Sequence, residues 1–248
     1  MTGYSVSRAL VTGAARGLGA ATAERLAREG LAVAVLDVDG AAARQTAERI
    51  AAGTGSLVVS FACDVRDRPG VEEAVAAAAR ALGGLDTVVA NAGIMRDRSF
   101  HKMSDEEWDD VIAVDLTGVF VTLRAAAPWL RQPGPGRAVL ISSVVAKTGN
   151  FGQMNYIAAK AGVVGLVRSA AVELARSGTT VNGVRPGFVE TAMTASMPPE
   201  AYDALMTDNL LGRPGHPEDI AGAVAYLCSN DAAFVTGHVL DVNGGHAL

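Results

Sequence analysis

Short runs rich in β-branched residues alternate with longer Ala-rich stretches along the whole chain, and this alternation limits the fold more than any other feature. Strand-length runs occur at Ala9–Thr12, Ala32–Leu36, Leu57–Phe61, Thr87–Ala90, Ala138–Ile141, Thr180–Val184 and His238–Val242. Helix-length segments lie between them, at Gly17–Arg28, Ala41–Ala51, Val71–Ala81, Asp105–Leu130, Gln153–Ala175 and Pro217–Leu227. Strands separated by helices of this length suit parallel βαβ crossovers, which cover both faces of a sheet with helices. The expected fold class is therefore α/β, a doubly wound (Rossmann) parallel sheet of about seven strands.

No Ser/Pro-rich linker, charge block or repeat interrupts the pattern, so the 248 residues are expected to form a single domain spanning 1–248. The least regular piece is 190–216, where Pro198, Pro199, Gly212, Pro214 and Gly215 mark a long excursion of the kind used as a substrate lid. With a formal charge of −5 the chain has no basic excess to attract nucleic acid or anionic lipid. The first eight residues lack the apolar run of a signal peptide, and no uninterrupted apolar stretch approaches bilayer length. A cytoplasmic protein with no membrane or nucleic-acid partner is expected. Cys63 and Cys228 lack a second Cys or His at ligand spacing, and His101, His216, His238 and His246 form no ligand set, so no metal is expected.

Chemistry first shows itself after the first strand. Thr12-Gly13-Ala14-Ala15-Arg16-Gly17-Leu18-Gly19 runs directly into the helix sequence Ala20-Ala21-Thr22-Ala23-Glu24. Glycines allow close backbone approach of a pyrophosphate, and a helix N-terminus offers unpaired amides with a favourable dipole. The alternative, an ordinary tight turn, stays open on this motif alone, because the spacing is Gly-x-x-x-Gly-x-Gly in a glycine-rich chain. Asp37 ends the second strand run about 20 residues further on, where a carboxylate can accept both ribose hydroxyls and repel a 2′-phosphate. NAD(H) is therefore expected over NADP(H). Arg16 could pair with a phosphate and keeps NADP(H) possible.

Tyr156-Ile157-Ala158-Ala159-Lys160 puts a phenol and an ammonium on one helical face. A free Tyr has a pKa of roughly 10, so a nearby cation would make phenolate accessible. Upstream, Ser142-Ser143 ends the strand run at 138–141, at the carboxyl edge where doubly wound folds bind ligands.

Taken in order, these motifs resemble the short-chain dehydrogenase/reductase family over essentially the whole chain: Thr12–Gly19, Asp64-Val65, Asn91-Ala92-Gly93, Ser143, Tyr156 with Lys160, and Pro186-Gly187 with Val189 and Thr191. Within that family the chain is most similar to 3-oxoacyl-(acyl-carrier-protein) reductases and acetoacetyl-CoA reductases. The similarity lies in Asn91–Asp97, Asp105–Trp108, Phe151–Tyr156 and Asp241–Gly245. The resemblance implies cofactor contacts from Gly13, Arg16, Gly17, Leu18, Gly19, Asp37, Asp64, Val65, Asn91, Ala92, Gly93, Tyr156, Lys160, Pro186, Gly187, Val189 and Thr191. It also implies hydride transfer between nicotinamide and a carbonyl carbon. Tyr156 would give the proton, Lys160 would depress the Tyr156 pKa and bind the ribose, and Ser143, thirteen residues before Tyr156, would hold the developing alkoxide. Ser142 would be supporting structure, and a homotetramer would form through Asp105–Leu130, Gln153–Ala175 and the last strand.

Two positions depart from the family pattern. Asp115 stands in Val114-Asp115-Leu116-Thr117-Gly118 where members usually carry Asn, and an ionised carboxylate there would stabilise Lys160 as a cation. Basic residues that would face an acyl carrier protein are displaced, with Arg176 one position early and Pro133-Gly134-Pro135 at the other site. The expected function is thus an NAD(P)-dependent oxidoreductase, a 3-oxoacyl thioester reductase first. Alternatives are dehydrogenation of another alcohol, sugar or polyketide, or a non-catalytic nucleotide-binding regulator.

Overall fold

The computed structural model describes residues 5–132, 134–191, 202 and 209–246. Seven strands make one sheet: β1 (Arg8–Thr12), β2 (Ala32–Asp37), β3 (Val58–Ala62), β4 (Thr87–Ala90), β5 (Arg137–Ile141), β6 (Thr180–Pro186) and β7 (Val239–Val242). Their order is β3-β2-β1-β4-β5-β6-β7, and every neighbouring pair is parallel. The chain moves outward from β1 to β3, then returns to place β4 on the other side of β1. Such a reversal opens a crevice at the carboxyl ends of β1 and β4, where doubly wound folds bind ligands.

The central strands are buried on both faces, which is why they read as continuous Val, Leu, Ala and Ile runs and not as alternating ones. Ala9, Val11, Val33 and Val35 face one core with α1 (Gly17–Arg28), α2 (Gly40–Thr54) and the last helix, which supplies Ile220, Val224 and Leu227. Leu10, Ala34 and Leu36 face the other, with α3 (Arg68–Leu82), α5 (Gly118–Leu130) and α7 (Met154–Leu174). Short α4 (Asp105–Ile112) and α6 (Val145–Thr148) precede α5 and α7, and the last helix is α8 (Pro217–Cys228). α4 starts with Ser104 as its cap. Its hydroxyl accepts from Glu107 N and the Glu107 carboxylate accepts from Ser104 N, so two orphan amides are satisfied reciprocally.

The expected single helix over 105–130 is interrupted by a π-helical turn at Ala113–Thr117, which turns Asp115 inward to zero exposure. The stretch Asp105–Leu130 also contains a window of mean hydropathy 1.5, long and apolar enough by length and composition alone to cross a membrane. Half of that window is buried inside the protein, so its hydropathy serves core packing here. Trp108 is 37% exposed, whereas Trp129 packs on the core.

The excursion after β6 is pinched at its base. Val189 and Gly215 form a parallel bridge, with Glu190 N donating to Gly215 O at 2.9 Å and Gly215 N to Phe188 O at 2.9 Å. Residues 192–201 and 203–208, most of the expected lid, lie outside the described residues.

Candidate active site

Construction of the site begins with the turn after β1. Gly13 (φ +62°) and Gly17 (φ +56°) adopt left-handed backbone that other residues rarely adopt. A Cβ at Gly19 would sit 2.2 Å from Gly13 O and 2.6 Å from Asn91 Nδ2, so this position accepts only glycine without moving backbone. The residue before α1, Arg16, is extended, exposed and makes no side-chain cap, so no side chain of the helix start occupies its first amides. Uncapped amides at a dipole's positive end suit a pyrophosphate. Leu18 is half-buried and packs on the core beneath.

The end of β4 is stitched to this turn. Thr12 Oγ1 accepts from Asn91 N (3.1 Å) and Ala92 N (3.2 Å), while Asn91 Nδ2 donates to Thr12 O (2.9 Å) and Gly13 O (3.0 Å). Thr12 was legible only as part of the turn. Its role as the acceptor for two amides depends on the β1–β4 pairing, which sequence spacing does not encode.

Asp37 closes the other side. At 9% exposure it accepts from Ala15 N (3.0 Å) and Asp39 N (3.1 Å), so the carboxylate is fixed against the turn. Asp64 lies past β3 with Arg66 Nη2 at 2.8 Å, and the Arg66 side chain holds its carboxyl below the usual range. Val65 is buried against Gly118, where a Cβ would come within 2.7 Å of it. Past β6, Pro186 O accepts from Val144 N (2.8 Å), Gly187 N donates to Val242 O (3.0 Å), Val189 is buried, and the Thr191 methyl approaches Gly17. The residues expected around the cofactor thus follow the carboxyl ends of the strands from β3 across to β6.

Ser143, Tyr156, Lys160 and Asp115 come together beyond the end of β5. Tyr156 and Lys160 share a face of α7, with Lys160 Nζ 5.4 Å from the Tyr156 ring centroid. Ser143 stands close enough to the Tyr156 phenol to lower its pKa. Lys160 is almost wholly buried: Nζ donates to Ile141 O at 3.1 Å and lies 3.1 Å from Asp115 Oδ2, an ion pair without an aligned hydrogen bond. Asp115 Oδ1 accepts from Ile94 N at 2.8 Å. Ser142 takes the supporting place expected of it, donating to Lys160 O at 2.8 Å.

Burial pushes the Tyr156 phenol above its ordinary pKa; Lys160 pulls it down, and Asp115 and Asp97 push it up. Lys160 thus acts on the phenol in the expected direction, but desolvation and two carboxylates outweigh that one cation. Burial works against the Lys160 cation, but Asp115 and Tyr156 more than compensate and its pKa rises. Burial also lifts Asp115, against Lys160 and the Ile94 amide.

A network missed in the sequence braces the start of α7. Gln153 Nε2 donates to Asp97 Oδ2 (2.8 Å), and Asn155 Nδ2 donates to Arg96 O (3.1 Å) and Glu107 O (2.9 Å). Arg98 N donates to Gly152 O at 2.7 Å. The segment after β4 is thereby fastened to the turn before Tyr156.

A family model described as enoyl-(acyl carrier protein) reductase matches residues 13–247. The chain belongs to the short-chain dehydrogenase/reductase family and is an NAD(P)-dependent oxidoreductase of the ketone/secondary-alcohol couple. It is 44% identical to (3R)-3-hydroxyacyl-CoA dehydrogenase of Mus musculus over 249 residues, covering 96% of this chain and 95% of that one. It is 42% identical to 3-oxoacyl-(acyl-carrier-protein) reductase FabG of Staphylococcus aureus strain Mu50 over 242 residues, covering 96% of each. A crystal structure described as a short-chain alcohol dehydrogenase from Sinorhizobium meliloti 1021 superposes with a TM-score of 0.93 at 36% identity, covering 98% of this chain and 96% of that one.

Proposed function

We propose that this chain interconverts a 3-oxoacyl thioester and its 3-hydroxyacyl thioester, with NAD(H) as the preferred cofactor. The observation that carries the reading is the joint placement of Ser143, Tyr156 and Lys160 at the carboxyl edge of β5, beside the uncapped glycine turn. The names of the mouse and staphylococcal relatives give the substrate class. Bound nicotinamide supplies the hydride. Tyr156 gives its proton to the carbonyl oxygen as the C–H bond forms, and Ser143 donates a hydrogen bond to the same oxygen. Ammonium has three N–H groups; Ile141 O and Asp115 engage two directions at Lys160, leaving one for a ribose hydroxyl. Asp37, held by two backbone amides at the mouth of the turn, supports NAD(H) because it would repel a 2′-phosphate.

The same reading takes the whole chain as one catalytic domain with 190–216 closing over the substrate, assembled as a homotetramer. Exposed Phe120 and Val172 on α5 and α7, with Phe234 ahead of β7, support assembly. Coenzyme A is the carrier the displaced basic residues favour. A cytoplasmic setting is supported by Cys63 and Cys228, free thiols that burial pushes up to about 11 and about 12.

The test is NADH oxidation with acetoacetyl-CoA. Turnover is expected, with Tyr156→Phe lowering kcat by about 10²- to 10⁴-fold while cofactor binding is retained. Turnover of simple secondary alcohols with NAD and none of the thioester would replace the substrate class. Cofactor binding without any turnover would favour the regulator.

A further inference from the structure

Among the described residues that surround Tyr156, Asp115 is the one fully buried carboxylate, and its counter-ion is Lys160. The π-helical turn fixes it, because Ala113–Thr117 departs from α-helical register at the place where the helix passes under Lys160. Its two oxygens are committed, Oδ1 to the Ile94 amide and Oδ2 to the ammonium. We propose that Asp115 is a positioning residue that cancels the charge of Lys160, so that Tyr156 stands as a neutral phenol, ready to give a proton, before any cofactor binds. This rests on the reading above in one respect, that Tyr156 is the proton donor.

A solitary buried cation at the Tyr156–Lys160 distance would favour phenolate, and charges at such range move a pKa by about 1–3 units. Paired one to one with Asp115, Lys160 presents Tyr156 with a dipole instead of a net charge. Among the described residues, the charged and titratable groups facing Tyr156 are Lys160 from its own helix, Asp115 from the π turn and Asp97 from the segment after β4, so two anions oppose one cation there. Burial acts in the same direction as the anions.

The consequence concerns proton flow. In reduction the Tyr156 O–H bond breaks, its proton joins the carbonyl oxygen as hydride reaches the carbonyl carbon, and the phenolate recovers a proton from solvent. Reduction should therefore hold steady through neutral pH and fall only where the phenol ionises. Oxidation needs the phenolate first and should rise with pH over the same range.

Ultraviolet difference titration of phenolate in cofactor-free protein, with Tyr156→Phe subtracted from wild type, reads the Tyr156 midpoint directly. The expected midpoint is at or above about 10. Asp115→Asn, checked for folding by thermal melting, should lower it by about 1 unit or more. A purely structural role would lower the melting temperature and leave the midpoint in place, and that outcome overturns the proposal. If Asp115→Asn fails to fold, the wild-type midpoint decides alone: a value below about 9 overturns it. No substrate is present, so failure of the thioester assignment leaves this result untouched.

Discussion

Gly93 packs directly on Asp115: a Cβ at position 93 would lie 2.7 Å from Asp115 Oδ2 and 3.3 Å from Lys160 Nζ. The residue that ends Asn91-Ala92-Gly93 is thus small because a buried ion pair occupies the space its side chain would need. Gly93→Ala must push that pair apart inside a packed core, at a cost of about 1–3 kcal/mol. We expect a lower melting temperature and a kcat reduced at least about tenfold, as the Lys160 ammonium moves relative to Tyr156. Wild-type kcat in this variant would mean that the pair's placement does not govern turnover.

Gly19 makes a different prediction, because the obstacle there is backbone. With Gly13 O only 2.2 Å from a would-be Cβ, moving the Asn91 side chain cannot relieve Gly19→Ala. The turn must open, and its amides lose their common direction. Calorimetric titration with NADH should show at least about a tenfold loss of affinity, equal to about 1.4 kcal/mol. Unaltered affinity would remove the turn from the cofactor site.

How much of this was legible in the sequence depended on whether a feature was local. Strands and helices were, since Val33-Ala34-Val35-Leu36 is buried on both faces and shows it as an unbroken apolar run. The Tyr156–Lys160 spacing was also local, being one helical turn. What stayed hidden needed two distant segments at once. Gln153 and Asp97 lie 56 positions apart, and nothing in either neighbourhood announces their hydrogen bond. The π turn was hidden for another reason: Ala113-Val114-Asp115-Leu116-Thr117 has an ordinary helical pattern, and the bulge reflects where Asp115 must point to meet Lys160 and Ile94. At Tyr156 the sequence shows the nearby cation that lowers the phenol's pKa, whereas the burial that outweighs it depends on the whole fold.

Asp37 carries the cofactor-preference prediction. Replacing it with Ser removes a charge that would oppose a 2′-phosphate and leaves a hydroxyl able to accept one of the two amides now held by the carboxylate. The NADPH to NADH ratio of kcat/KM should rise about 10- to 100-fold, or about 1.4–2.8 kcal/mol of relative stabilisation. Some stability should be lost, because Ala15 N or Asp39 N gives up its acceptor, at about 1–3 kcal/mol for a buried unpaired amide. An unchanged ratio would show that Asp37 braces the turn without reading the ribose.

Asp219 gives a prediction in pH. Arg213, where the excursion after β6 returns, lies 2.7 Å from the Asp219 carboxylate, which also accepts from His216 N at 2.8 Å in the cap of α8. Hydrogen bonding from Arg213 first, then the His216 amide, holds the Asp219 pKa down at about 2. A carboxylate depressed on folding stabilises the native state above its unfolded pKa, near 3.9, and that contribution vanishes as pH falls from about 5 through the folded value. Both side chains are substantially exposed, so solvent screening limits the effect to less than about 1 kcal/mol. Urea denaturation should therefore place Asp219→Asn below wild type at about pH 7, with the gap narrowing toward about pH 3. A gap that stays constant over this range would trace the loss to the helix cap's geometry, independent of the carboxylate's charge.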